Sequence, residues 1–486
     1  MSEQVQIYLN NQISKIPAFL DAYLHDRSGK LYAKRHLFDR VMSRVNNFLQ
    51  NRSEVRFIGI SGLRGVGKTT LLAQLSKEII SKYPKDFLYL TMDEVTGVLQ
   101  SDLLEVLTEY EKIIGCSFEE IKRPVFIFID EVHFDEKWTL ALKTIYDKSK
   151  HIFVICTGSS ALSLRATPDL ARRILFEKLY PMKFSEYIFL KNHDDIVLNQ
   201  KKLNGSVSND LSAKIVQALL YSPSGKSCYE SFLKLEKDIK EFWYGLNALE
   251  MERFLKFGNL PFALKETEEF DCLKLILEII DRIVEKDIPA LGKFKIETLS
   301  RAKNILLMLA SGDETSFTSF AKSLNNISII TLQDLFDAFE KAEILFRVYP
   351  YGSAFKKVRK PSKYLFMSPS LRYALLSVVE GRNAYLTHKG KYLEDVVCMT
   401  LISSAEDIIV KSLFYDSSKG GADFIIKIGD KKIVLEVGFG EKGNDQILYT
   451  MRRTKANYGV LISETELNFD SENNIVKIPL QTFLSI

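Results

Sequence analysis

Lys68, Thr69, Asp130 and Glu131 have the residue types and spacing of a phosphate-handling site. In "GISGLRGVGKTTLL", Gly62, Gly67, Lys68 and Thr69 satisfy G-x-x-x-x-G-K-[ST], the Walker A pattern. Glycines there let the chain bend sharply and present bare N–H groups to an anion. The expected cradle for nucleotide phosphates is the backbone of Gly62, Gly65, Val66, Gly67, Lys68, Thr69 and Thr70. Lys68 would neutralise the β and γ oxygens of ATP, and the Thr69 hydroxyl would ligate Mg²⁺. Downstream, "VFIFIDEVHF" ends an apolar run in two acids, as a Walker B segment does. Asp130 is expected to hold Mg²⁺, mainly through water, and Glu131 to polarise the attacking water.

Elements of the right kind flank these residues. Val55, Phe57, Ile58 and Ile60 read as a short buried strand, and Leu71, Leu72, Leu75, Ile79 and Ile80 follow the glycine turn at helical spacing. Val125 to Ile129 form a continuous apolar strand of the kind covered on both faces. A third run, "HIFVICTGSSAL", ends in Thr157 and Ser159, whose hydroxyls read either as a strand-end cap or as contacts to a ligand at that edge.

At 486 residues the chain exceeds a single core, and the usual domain size predicts about three domains. Apolar residues make up 46% and charged residues 26%, the balance of an ordinary globular protein. No run reaches membrane-spanning length and no secretory leader is apparent, which predicts a cytoplasmic protein without membrane contact. The five cysteines are scattered without metal-type spacing and read as reduced core residues. A net charge of +4 is too small to indicate a nucleic-acid partner by itself.

The succession G-x-R-G-x-G-K-T-T, h-h-D-E, Trp138, T-G-S-S, L-A-x-R and P-x-x-F-x-E-Y resembles the bacterial and archaeal AAA-domain ATPases related to the STAND and archaeal-type groups. The resemblance implies an ATPase core whose third strand carries a sensor at Thr157 or Ser159. Its L-A-G-R position falls on Leu170, Ala171, Arg172 and Arg173, with Arg172 in place of the glycine. Arg173 is then either an arginine finger across the interface of a homo-oligomer or a surface arginine paired with a carboxylate; Arg165 is a further choice.

Beyond the core, residues 187–297 show mostly helical spacing and suit a lid. Residues 298–370 give three helices and two extended segments, the outline of a winged helix. Its wing carries Lys356, Lys357, Arg359 and Lys360 among aromatics, and no Asp or Glu interrupts residues 344–379. Such a patch suits the phosphates of DNA or RNA. Asp334, Asp337 and Glu340 on the preceding helix oppose a DNA groove, so a solvated loop on a protein-contact winged helix stands as an equal reading. The C-terminal region resembles the PD-(D/E)xK nuclease-like domain with which members of that ATPase family often end, and on that likeness Glu394, Asp423 and Glu436 are candidate ligands of a second divalent metal. Gly438 stands in the lysine position; Lys442 is a candidate substitute, with Gln446 and Lys455 on the next helix, and a degenerate domain is favoured.

The expected fold is multidomain α/β: an N-terminal helical leader at 1–50, a P-loop parallel-sheet ATPase core at 51–186, a helical lid at 187–297, a winged helix at 298–370 and a restriction-endonuclease-like mixed α/β domain at 371–486. The expected function is an Mg²⁺-dependent, ATP-hydrolysing switch or motor acting on nucleic acid. A nucleotide-gated assembly scaffold and an ATP-regulated nuclease are the alternatives.

Overall fold

The computed structural model describes residues 2–486 apart from 27, 159–171, 193–204, 267, 293, 313–316, 325–326, 354–359, 441–442 and 465; at 2, 205–209, 248 and 406–407 only the backbone is described. Two compact units divide the chain, Met1–Tyr180 and Pro181–Ile486.

The first unit is built on five strands, β1 (Phe57–Ser61), β2 (Phe87–Thr91), β3 (Val125–Asp130), β4 (Ile152–Thr157) and β5 (Ile174–Lys178), in the order β2-β3-β4-β1-β5. All their pairings are parallel. The unbroken apolar strands are the consequence of helices on both faces. Along β3 the side chains alternate between two cores. Val125, Ile127 and Ile129 enter the cluster that includes Val95 from α4 (Met92–Gly97) and Leu103, Leu107, Trp138 and Leu142 from α5 (Leu103–Ile114) and α6 (Trp138–Lys148). Phe126 turns the other way, toward Phe48 of α2 (His36–Leu49) and Tyr83 beyond α3 (Lys68–Ile80).

The polar N-terminal segment packs on the five-stranded sheet and its helices. Its helix α1 (Ser2–Leu24) buries Val5, Leu9, Ile16, Leu20 and Leu24 at a four- and seven-residue spacing, with Val5 and Leu9 entering the α5–α6 core. Phe19 meets Tyr89 edge-on at 5.3 Å, and Gln6 reaches Glu109 at 2.8 Å, so α1 lies along β2, the strand at the edge of the sheet. A covered edge has no open hydrogen-bonding row to offer another chain.

The second unit carries a mixed sheet of eight strands, β6 (Leu345–Pro350), β7 (Lys363–Phe366), β8 (Leu413–Tyr415), β9 (Phe424–Ile428), β10 (Lys431–Val437), β11 (Tyr458–Ser463), β12 (Asn468–Asp470) and β13 (Ile475–Pro479), ordered β12-β13-β11-β10-β9-β8-β6-β7. The antiparallel ribbon β6–β7 follows the helices Ile296–Ser311, Phe317–Ser323 and Ile329–Lys341, and β6 pairs in parallel with β8. The ribbon and the C-terminal strands therefore share one sheet, and no sheet boundary falls at residue 370. Helix Gly225–Trp243, from the segment expected to be a lid, packs on the opposite end of this sheet: Tyr229 stacks on Phe469 at 5.9 Å and Gly225 leaves no room for a Cβ against Asn474.

Candidate nucleotide site

Parallel strands bring their C-terminal ends to one edge, where ligands of open α/β sheets bind. The register pairs Ile60 with Thr157 and Ile129 with Cys156, so Gly62, Asp130 and Thr157 emerge side by side, with β4 between β1 and β3. Gly62 is required by a close approach: an added Cβ would lie 2.3 Å from the Leu179 carbonyl oxygen. Gly67 caps α3 at φ 94°, in the left-handed region that disfavours a side chain. Arg35 pins the loop from outside, donating from Nη1 to Val66 O at 2.8 Å and from Nη2 to Tyr180 O at 2.9 Å. The buried Lys68 ammonium donates to Gly62 O at 2.9 Å and Leu63 O at 3.3 Å, folded against the loop it follows. Thr70 is half-buried in the next position.

The two acids meet this loop through hydroxyls. Thr69 hydrogen-bonds the Asp130 carboxylate. Thr157 donates to Asp130 Oδ1 and accepts the Glu131 N–H at 3.0 Å, which commits its buried hydroxyl to the acids. Burial, and next the Glu131 charge, raise the Asp130 pKa above the usual carboxylate range; Thr157, Thr69 and Lys68 oppose the rise. Glu131 takes φ 53° and ψ 44°, a left-handed conformation that costs a non-glycine residue about 1–3 kcal/mol and gathers at functional sites. Its Oε2 lies 3.3 Å from Nδ1 of His133, whose ring stacks on Phe134.

Residues distant in sequence also gather here. Burial first and then the Asp130 charge raise the pKa of both Tyr23, near the end of α1, and Tyr89, on β2. The Tyr89 hydroxyl is buried and has no hydrogen-bond partner among the described residues. No local pattern marks Tyr23, Arg35 or Tyr89; only the fold brings them to the loop. His133 was within reach of the sequence, two residues beyond Glu131, but carried no motif.

Arg173 lies elsewhere. It directly precedes β5, whose Ile174 pairs with Phe57, so it stands level with Arg56 at the opposite edge of the sheet. Six residues of extended chain separate that level from Gly62, on the order of 20 Å. There Arg173 pairs with Asp147, Nε to Oδ1 at 3.1 Å, over the Tyr146 ring. Ser159, Arg165, Leu170 and Ala171 lie outside the described residues, as do Lys356, Lys357, Arg359 and Lys442.

In the second unit, Lys360 is exposed. Arg347 of β6 pairs with Asp337 and, at 3.1 Å, with Glu340, so two of the three acids expected to repel a DNA groove are partly neutralised within the fold. Glu394, Asp423 and Glu436, the acids expected to ligate a second divalent metal, gather around Lys363 and the β9–β10 backbone. Among the described residues no three His, Cys, Asp or Glu side chains are grouped to hold a metal, and Glu394 and Asp423 instead share the Lys363 amine.

Residues 54–188 match an AAA domain, and residues 248–381 match a domain of unknown function, DUF8612. The solved Walker-type ATPase PABY2304 of Pyrococcus abyssi is 15% identical, with 70% of this chain and 95% of that one covered and a TM-score of 0.41. Uncharacterized protein MJ1544 of Methanocaldococcus jannaschii is 23% identical, covering 78% of this chain and 73% of its own. Uncharacterized protein MJ1637 of the same organism is 37% identical over 490 residues, 99% of this chain and 94% of its own. At that identity along nearly the whole of both sequences, this chain belongs to the family of MJ1637, and it contains an AAA-type P-loop ATPase domain.

Proposed function

We propose that the chain is an Mg²⁺-dependent ATP hydrolase working as a nucleotide-driven switch. The observation that carries this reading is the hydrogen-bonded run from the Glu131 N–H through the Thr157 hydroxyl to Asp130, set beside Lys68 and Thr69. A site that only holds nucleotide has no use for an acid kept in a left-handed conformation at the strand end.

Thr69 and Asp130 fit a hard divalent cation, since both present oxygens and already meet. When bound, Mg²⁺ would neutralise charge on the phosphate oxygens. Lys68 exchanges the carbonyls of Gly62 and Leu63 for the β and γ oxygens. Glu131 accepts the proton of the water that attacks the γ-phosphorus, and ADP leaves as the P–O bond breaks. Thr157 keeps Asp130 and Glu131 in register and is a positioning residue.

ATP turnover and nucleotide affinity in wild type, Lys68→Ala, Glu131→Gln and Thr157→Val test the assignment. Lys68→Ala is expected to lose nucleotide affinity. Glu131→Gln should bind ATP yet turn over on the order of 100-fold more slowly, the usual loss for a general base. Thr157→Val should keep ATP affinity within about threefold while its turnover falls, because the hydroxyl serves the acids rather than the ligand. Failure of the wild type to bind nucleotide, or undiminished turnover in Glu131→Gln, overturns the reading.

An output on nucleic acid, through a winged helix formed by residues 298–370, is supported by the exposed Lys360 and by Arg347 offsetting Asp337 and Glu340. The same assay with DNA and with RNA decides it. Stimulation favours this output, whereas nucleotide-dependent assembly without stimulation favours a scaffold.

A further inference from the structure

Four charged side chains meet in the second unit. Lys363 opens β7, Glu394 lies on helix Lys389–Ser404, Asp423 immediately precedes β9, and Glu436 is in β10. The Lys363 ammonium pairs with Glu394 Oε2 and with Asp423 Oδ1, the latter at 3.3 Å, and the Phe424 ring lies 5.2 Å from it. The other Asp423 oxygen accepts the Val437 N–H at 3.0 Å, while Glu436 Oε2 accepts the Asp423 N–H at 2.9 Å. Asp423 and Glu436 are thus tied into the β9–β10 backbone, and Glu394 is drawn to the same amine.

Divalent cations of this class need several oxygens at about 2.0–2.6 Å. An amine in direct contact with two carboxylates fills the space where those oxygens would converge, and its charge cancels part of the attraction. Burial does not keep ions out: Lys363, Glu394 and Asp423 are 23%, 22% and 16% exposed.

We propose that Lys363 Nζ is a tethered cation standing in the divalent-metal position between Glu394 and Asp423, making this cluster a metal-independent clasp between the β6–β7 ribbon, helix Lys389–Ser404 and the C-terminal strands. The proposal is independent of ATP hydrolysis in the first unit. It assigns the missing amine of the Gly438 position to a different strand and gives it a structural task. Removing the amine should open a metal site that the wild type does not have.

Mn²⁺ titration of the full-length, nucleotide-free protein by calorimetry, with melting temperatures in parallel, tests this. Wild type and Asp423→Asn are expected to give the same isotherm. Lys363→Ala should melt at a lower temperature, gain one Mn²⁺ site at least ~10-fold tighter than any wild-type affinity at these acids, and recover melting temperature with Mn²⁺. A wild-type site that Asp423→Asn abolishes overturns the proposal, and that comparison stands even where Lys363→Ala does not fold. A folded Lys363→Ala without the new site overturns it too. So does Mn²⁺-dependent nicking of supercoiled DNA by the wild type that both substitutions abolish, since the amine would then serve catalysis.

Discussion

Asp130 carries a charge that its surroundings oppose and its chemistry requires. Burial and the neighbouring Glu131 raise its pKa, so the native state favours the protonated form more than the unfolded chain does. Above the raised pKa the carboxylate is ionised in both states, and the native state bears the whole desolvation cost. As pH falls through the interval between the raised and the ordinary value, the native protein takes up the proton first and that cost disappears. Asp130→Asn removes the charge while leaving an oxygen for the Thr157 hydroxyl. The nucleotide-free variant is therefore expected to be more stable than wild type at pH 7 by about 1 kcal/mol, with the advantage shrinking as pH falls toward the ordinary carboxylate value. Denaturant melts of both proteins across pH measure it. A variant no more stable than wild type at pH 7 would mean that Thr69, Thr157 and Lys68 already compensate the charge.

Among the elements, the difference between legible and illegible parts follows from sequence distance. The strand–glycine–helix of residues 57–80 and the acids closing β3 are contiguous, so their spacing alone states the chemistry. The place of α1 on β2 is not legible in the sequence, because its apolar residues are separated by polar ones and no local pattern names the strand they cover. The pairing of Lys363 with Asp423 is not legible in the sequence, since the two lie 60 positions apart and meet through the β6–β8 pairing that joins the ribbon to that sheet. Arg372 was passed over for the same reason. It is 3% exposed and grips the fully buried Asp395 through Nε at 2.6 Å and Nη2 at 2.9 Å, while Nη1 donates to Ala310 O at 2.9 Å. Asp395 also accepts the Phe366 N–H at 2.9 Å, so one ion pair joins β7 and helices Ile296–Ser311, Pro369–Glu380 and Lys389–Ser404. Arg372→Met leaves that carboxylate uncompensated and is expected to cost about 3–5 kcal/mol. The double variant Arg372→Met/Asp395→Asn should recover a large part, because asparagine removes the charge and keeps an acceptor for Phe366. Chemical denaturation gives both values, and a double variant as unstable as the single one would place the cost in packing instead.

For the whole molecule, Arg173, expected either as a finger across a subunit interface or as a surface arginine, lies at the edge of its sheet opposite its own phosphate loop. Arg173 is level with the start of β1, and Gly62 follows its end, on the order of 20 Å away along the strand. A rotamer change cannot cover that distance within one chain, so any action on phosphate requires the arginine of a second copy. The Asp147 pair and the Tyr146 ring hold Arg173 at this edge, a placement compatible with presentation to a neighbour. The two roles separate in a mixing experiment. Arg173→Ala keeps an intact phosphate loop, and Lys68→Ala keeps an intact arginine. Each alone is expected to lose at least ~10-fold in turnover. Mixed, they form sites in which a Lys68→Ala chain lends its arginine to an Arg173→Ala chain, and turnover should return to a fraction set by how often such neighbours meet. Mixing at concentrations above and below self-association, followed by light scattering alongside phosphate release, reads both quantities. Undiminished turnover by Arg173→Ala alone would leave the Asp147 pair as a structural contact at the sheet edge, and a lasting loss in the mixture would remove the second copy from the mechanism.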